Sequence, residues 1–243
     1  MLYSLIIKRR PLTKYLGFCG LLLFILTQLP GAGCTPRTSL EKPPLKIREL
    51  SCDPQADEAM HRHDYETSIR LHHQFIEMEP ENELALYHLG YAYGQTGQHQ
   101  QEVFYYERAI ALGLKADHIF FNLGMAHGEL NQLGRAIDAF KAGLAVNPTS
   151  ADNYFGLALT YDKSGRKKAA ENAYKKAIEM DPRHLDARFC LSLLYKDMGN
   201  VQEARKQLLE ILVIDPSDID AQTLLEAIEK EEGGNKPNSM DSF

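Results

Sequence analysis

Histidine is the residue type in this chain whose spacing most invites a chemical reading. Four of the nine fall within residues 61–73, at His61, His63, His72 and His73. A metal site needs several such donors converging on one point with bonds of about 2 Å. His61 and His63 stand two apart at a helix end, so their rings diverge, and no metal site is expected. The sequence offers no Ser-His-Asp order for acyl transfer, no phosphate-cradling glycine loop and no HExxH pair. Acidic neighbours such as Glu231 and Glu232 read as a solvated helix end. No catalytic residue, cofactor or small-molecule substrate is therefore expected, and function has to be sought in a surface.

The surface follows from an internal period of 34 residues. Residues 83–115 carry Leu89-Gly90, Tyr93, Gly97, Tyr106 and Ala109; the next unit, from Asp117, carries Phe120, Leu123-Gly124, Ala136, Phe140 and Pro148. The unit from Ala151 has Tyr154, Leu157-Ala158, Tyr161, Gly165, Ala170, Tyr174 and Pro182, and the one from Leu185 has Leu191-Ser192, Tyr195, Gly199, Ala204, Leu208 and Pro216. Together these resemble the tetratricopeptide repeat, in which an aromatic, Leu-Gly, Tyr, Ala, Phe and Pro recur at fixed places in a helix-turn-helix unit. The resemblance implies an all-α fold: a right-handed α-solenoid with repeats at about 49–82, 83–116, 117–150, 151–184 and 185–218, and a capping helix at 219–232. In the first, degenerate unit, Asp53-Pro54 opens one helix and residues 63–80 form the second, with His72 at the place other units give to an aromatic.

Each recurrent position has a packing reason. Gly90, Gly124, Ala158 and Ser192 are small because the second helix crosses there, and Ala136, Ala170 and Ala204 answer from that second helix. Glu102 breaks the rule at the corresponding place; a tilted helix pair with its carboxylate reaching water is the expected solution. The fifth and ninth positions of each first helix share a face about 130° from the packing face. They read Tyr87 and Tyr91, Phe121 and Met125, Phe155 and Leu159, Phe189 and Leu193. In the family that this chain resembles, these positions line the concave surface that holds ligands, so a continuous apolar groove is expected here, with His118, Glu129, Asp152, Asp162, Lys163, Asp186, Lys196 and Asp197 at its rim. Extra core packing and a self-association interface are the competing uses of the same stripe. Cys52 and Cys190, four units apart, are too distant for a disulfide.

The first 33 residues read as an address. The basic segment around Lys8, Arg9, Arg10 and Lys14 precedes an apolar run from Leu16 to Leu29, then small residues ending Gly31-Ala32-Gly33-Cys34. This is the three-part layout of a secretory signal peptide. Its ending resembles the bacterial lipoprotein signal, in which the Cys is lipidated and becomes the first residue; Gly31 stands where an aliphatic residue is usual, and ordinary cleavage at the same small residues is the alternative. Residues 34–52, rich in Pro and charge, form a tether, and 233–243 a disordered tail. Since four of the 27 basic residues and none of the acids lie in the address, the rest holds 23 basic against 33 acidic residues. That balance argues against nucleic acid. The expected protein is a non-enzymatic adaptor of the bacterial cell envelope, lipid-anchored at Cys34 and facing the periplasm, with the outer membrane favoured where one exists; a secreted or N-terminally anchored form is the alternative location. Its partners are apolar or amphipathic segments of other proteins. A self-assembling structural protein is the alternative function, and an accessory subunit of an envelope enzyme the remote one.

Overall fold

The computed structural model describes residues 52–234; the address, Cys34, the tether as far as Ser51 and the tail from residue 235 lie outside the described residues. Eleven helices make up its regular structure: α1 (Pro54–His61), α2 (Tyr65–Met78), α3 (Glu83–Gln95), α4 (His99–Ala111), α5 (Asp117–Glu129), α6 (Leu133–Val146), α7 (Ala151–Lys163), α8 (Lys167–Met180), α9 (Leu185–Asp197), α10 (Val201–Ile214) and α11 (Ile219–Gly234). The first ten form five antiparallel pairs, each packed on the next, and α11 closes the row against α10.

The hairpin turns show why the period is so regular. His63, Gly97, Asn131, Gly165 and Gly199, spaced 34 apart, all adopt left-handed backbone, with φ of 60°, 74°, 56°, 75° and 76°. That geometry lets the next residue's N–H return to a carbonyl five residues earlier, as Gln98 to Tyr93, Gln132 to His127, Arg166 to Tyr161 and Asn200 to Tyr195 do at 2.8–2.9 Å. Glycine is the default in such a cap, and Asn and His are among the side chains that tolerate it. His63 is thus a turn residue, and the second helix of the first unit starts at Tyr65 instead of at residue 63. Its ring caps the turn through a 2.7 Å contact of Nδ1 with the Tyr65 hydroxyl.

Inside each pair, small residues make room for a ring. A methyl group added at Gly90 would stand 2.6 Å from the Tyr106 ring, and one at Gly124 would stand 2.5 Å from Phe140. Gly156, from the following unit, presses on the same Phe140, which is sandwiched between two first helices. Tyr106, Phe140 and Tyr174 are fully buried, with Ala136, Ala170 and Ala204 beside them. Side-chain bonds then tie neighbouring units together: Asn153 donates to the Asp117 carbonyl at 3.3 Å, and the Lys163 ammonium to the Gly128 carbonyl at 2.8 Å.

Glu102 does not reach water. It is buried against Gly94, whose missing side chain leaves the space its carboxylate fills, and it accepts from His99 Nδ1 at 2.8 Å. Burial raises the Glu102 carboxyl above its ordinary value, His99 opposing, while the hydrogen bond to Glu102 raises His99. A group whose folded-state value is raised contributes stability below its unfolded value and loses it as pH climbs through the folded one. Stability from this pair should therefore decline as pH rises from the ordinary Glu value near 4.5 past the ordinary His value of 6.5. Glu102→Ala, which restores the residue type of the later units, should flatten that decline. Thermal melts of both proteins at pH 5 and pH 8 check it, and equal slopes would count against the assignment.

Candidate partner-binding face

The first helices α3, α5, α7 and α9 stand side by side, and their fifth and ninth positions form one row along them. The structure places most of that row in the core. Tyr87, Tyr91, Phe121, Met125, Phe155 and Leu159 retain only 3–8% of their accessible surface, and only Phe189 and Leu193 are partly exposed. The expected stripe of eight open apolar side chains is thus reduced to its last pair.

The cause lies between units. Phe155 meets Tyr174 of its own second helix, with ring centroids 6.1 Å apart, and His184 ahead of α9 at 4.8 Å. Tyr87 meets Tyr106 at 5.7 Å and His118 of the next unit at 5.3 Å. Its hydroxyl accepts from Asn122 at 3.5 Å, and burial pushes the phenol up to about 12. A helix considered alone has a free face at these positions; a helix with a first helix on each side does not. Beyond α9 the capping helix packs mainly on α10, so Phe189 and Leu193 lack the full cover that the next unit gives their counterparts.

The rim is acidic by count, with Glu129, Asp152, Asp162, Asp186 and Asp197 against Lys163 and Lys196, and its lysines have partners. Lys163 binds the Gly128 carbonyl, Lys196 pairs with Glu231 at 2.9 Å and Lys167 with Asp197 at 2.6 Å. Asp152 lies 3.4 Å from His184 Nε2. The Asp162 carboxyl is raised by partial burial and by the charge of Asp197, against the pull of Lys167. An added cation would relieve that repulsion. Glu129 and Asp186 are half-buried, and burial lowers His118 from its ordinary value. A separate cleft of about 610 Å³ lies on the side of the second helices, between α8 and α10 over Leu191 and Tyr195. Its Glu171 already binds Lys168 and Lys175, at 2.8 and 2.7 Å, and accepts from Tyr195 at 3.2 Å. The polar groups there serve one another.

At the other end of the row, sequence reasoning passed over a cluster. Cys52, Asp57, His72 and His88 bring their ligand atoms within 4.8 Å of one another. Of the histidines singled out by sequence, His72 alone takes part; His61 and His63 are exposed, and His73 pairs with the Tyr93 hydroxyl at 2.7 Å. The available signal was the 34-residue period, which puts Asp57 in the row of Tyr91 and His72 in the place of Tyr106.

Comparison with known families matches the tetratricopeptide repeat to residues 84–112, 117–150 and 151–184, and a second description of the same repeat to residues 168–228. No curated protein matches the sequence. Among solved structures, MamA superposes with a TM-score of 0.61 at 24% identity, covering 76% of this chain and 99% of its own. TTC0263, a thermophilic TPR protein in Thermus thermophilus, gives 0.60 at 21% identity, covering 72% of this chain and 96% of its own. YrrB, described as a TPR protein with an unusual peptide-binding site, gives 0.57 at 19%, covering 70% and 88%. At such identities the structural likeness is one of fold, but the matched repeats span more than half of the chain, and with the helix pairs and their 34-residue period they make this protein a member of the tetratricopeptide repeat family of protein-binding scaffolds.

Proposed function

We propose that the protein is a lipid-anchored adaptor of the bacterial cell envelope, which holds an amphipathic segment of a partner protein along its concave row. The observation that carries this reading is the partly exposed pair Phe189 and Leu193 beside a rim in which acids outnumber lysines. The segment presents an apolar side to that pair and Lys or Arg to Asp162 and its neighbours. Recognition is then helix-in-groove or extended, with an apolar anchor for affinity and charge for register. The buried aromatics of the earlier units keep the row rigid, which lowers the ordering cost of binding.

The anchor rests on the sequence. A lipidated Cys34 followed by residues 35–52 would let the solenoid stand up to about 60 Å from the membrane at the reach of an extended chain. Several acyl chains on one Cys would hold it stably, where a single chain would be marginal. Thr35 follows the Cys, and an acidic residue there is what signals inner-membrane retention in lipoproteins that this ending resembles; the outer membrane is therefore favoured where one exists.

Three outcomes test the reading. Phe189→Ala combined with Leu193→Asp should weaken binding of an amphipathic Leu- and Lys-rich peptide at least tenfold, about 1.4 kcal/mol, as followed by fluorescence anisotropy, while the melting temperature falls less than in Phe155→Ala. Phe155→Ala, one of the buried counterparts, should instead cost about 3–5 kcal/mol of stability. Unchanged affinity in the first variant would sink the anchor pair, and a concentration-dependent dimer that dissociates in that variant would favour self-assembly. Metabolic labelling with a fatty acid should mark the wild-type protein and leave Cys34→Ala unlabelled and released from membranes; label retained by the variant would remove Cys34 as the anchor.

A further inference from the structure

Four donor groups that the repeat does not require converge at the N-terminal end of the solenoid. Cys52 stands just ahead of α1, Asp57 lies on α1, His72 on α2 and His88 on α3. His72 Nε2 is 3.3 Å from His88 Nδ1 and 3.4 Å from Asp57 Oδ1, and His88 Nδ1 is 2.8 Å from the same oxygen. The Cys52 sulfur lies within 4.8 Å of all three. A tetrahedral ion with bonds of about 2.0–2.3 Å holds its donors about 3.3–3.8 Å apart. Two of the three nitrogen and oxygen separations already stand at those values, and the third is shorter by about half an ångström.

The hydrogen bonds around the cluster prepare it for a cation. His72 Nδ1 lies 2.9 Å from the Ser68 carbonyl, which can only accept, so Nδ1 carries the proton and donates it. Nε2 is then left with its lone pair facing Asp57 and His88. Ligating histidines are commonly fixed in this way, through a carbonyl on the far ring nitrogen. His72 is fully buried, so its lone pair cannot turn to water. Asp57 Oδ1 is buried too, and although two imidazole nitrogens lie near, it makes no well-aligned hydrogen bond. His88 Nδ1 donates to His72 Nε2 at 3.3 Å and faces Asp57 Oδ1 at 2.8 Å; a cation at the centre would displace its proton and then meet the oxygen and both imidazole nitrogens together.

We propose that Cys52, Asp57, His72 and His88 bind a structural zinc ion that clamps the start of the solenoid onto α2 and α3. One thiolate, one carboxylate and two neutral imidazoles form a closed four-donor set of mixed softness, which suits zinc and excludes the all-oxygen preference of calcium and magnesium. Two anionic donors cancel the charge of a divalent ion, so the filled site is neutral, as burial demands. The location gives the ion a task. α1 has 8 residues where α3, α5, α7 and α9 have 13, and no earlier unit covers it among the described residues. One ion bonded to the lead-in and to three helices would supply the missing cross-links and make the first unit's folding depend on metal. A purely hydrogen-bonded network would use Asp57, His72 and His88 and give Cys52 no part.

The experiment uses the full chain, stripped with a chelator and reloaded with zinc or with cobalt(II) as a spectroscopic stand-in. The wild type should take up one zinc per chain and melt higher with zinc than without. The cobalt form should show a thiolate-to-metal band in the near ultraviolet with the intense visible bands of a tetrahedral site. Cys52→Ser and His88→Gln should each lose zinc affinity by at least about 100-fold, and Cys52→Ser should lose the thiolate band, whereas Cys190→Ala should keep both. Should a variant fail to fold, the wild type still decides: its melting temperature must fall on chelation and return on reloading. No zinc uptake, a melting temperature indifferent to chelation, or wild-type affinity and thiolate band in Cys52→Ser would overturn the site.

Discussion

The contact between a large buried side chain on each second helix, a ring in all but α10, and a small residue on its partner sets the spacing of everything else. Tyr106 over Gly90, Phe140 over Gly124 and Tyr174 near Ala158 bring each helix pair close enough to exclude water, and the next first helix then closes on the same ring, as Gly156 does on Phe140. Because one ring serves two first helices, the pairs cannot be displaced independently. The left-handed turns at His63, Gly97, Asn131, Gly165 and Gly199 return the chain at a fixed length, so each ring arrives opposite its small partner. Turn and crossing are two halves of one geometric requirement, and together they account for the period.

Close packing also explains why the concave row is less open than its sequence suggests. The angular argument that sets the fifth and ninth positions on a free face is right for one helix, but it leaves out the neighbouring first helix on each side. His118 and His184, from following units, cover Tyr87 and Phe155. Large apolar residues recur at those positions because the space between first helices must be filled. In the function proposed above, affinity for a partner comes from what that filling leaves over: a partly exposed pair at the C-terminal end, and charges along the rim.

Helix positions, turns and crossing residues were legible in the sequence because each is dictated by contacts that recur every 34 residues. What escaped depends on contacts that occur once. Glu102 looked like a misfit with a path to water, yet Gly94 had made room for it, a compensation visible only when the two helices are superposed. His63 read as the start of a helix because the turn usually takes glycine, and nothing local marks a histidine as its substitute. Cys52 was set aside for being far from Cys190, a test of disulfides that says nothing of other partners. His88 follows the conspicuous Tyr87 and drew no notice, although it completes a cluster with residues 16, 31 and 36 positions earlier.

The departures from the pattern gather at the ends, and the physics of a solenoid gives the reason. An interior unit is buried on two sides, so its side chains answer to two neighbours and tolerate little variation. A terminal unit is released from one of those demands and exposes surface that needs some other cover. At the C-terminal end the answer is a helix, α11, held on by Arg205 to Glu229 at 3.0 Å and by Lys196 to Glu231, which caps α10 and leaves Phe189 and Leu193 partly exposed. At the N-terminal end α1 is too short to cap by apolar area, and the ring position itself holds His72 in place of the tyrosine or phenylalanine of the next three units. A buried imidazole there is a poor packing substitute for a ring of hydrocarbon, and its position is explained only by the polar groups it meets. The two ends therefore solve the same problem of missing neighbours by different chemistry, and in a repeat scaffold it is there that residues become free to take on a task beyond holding the array together.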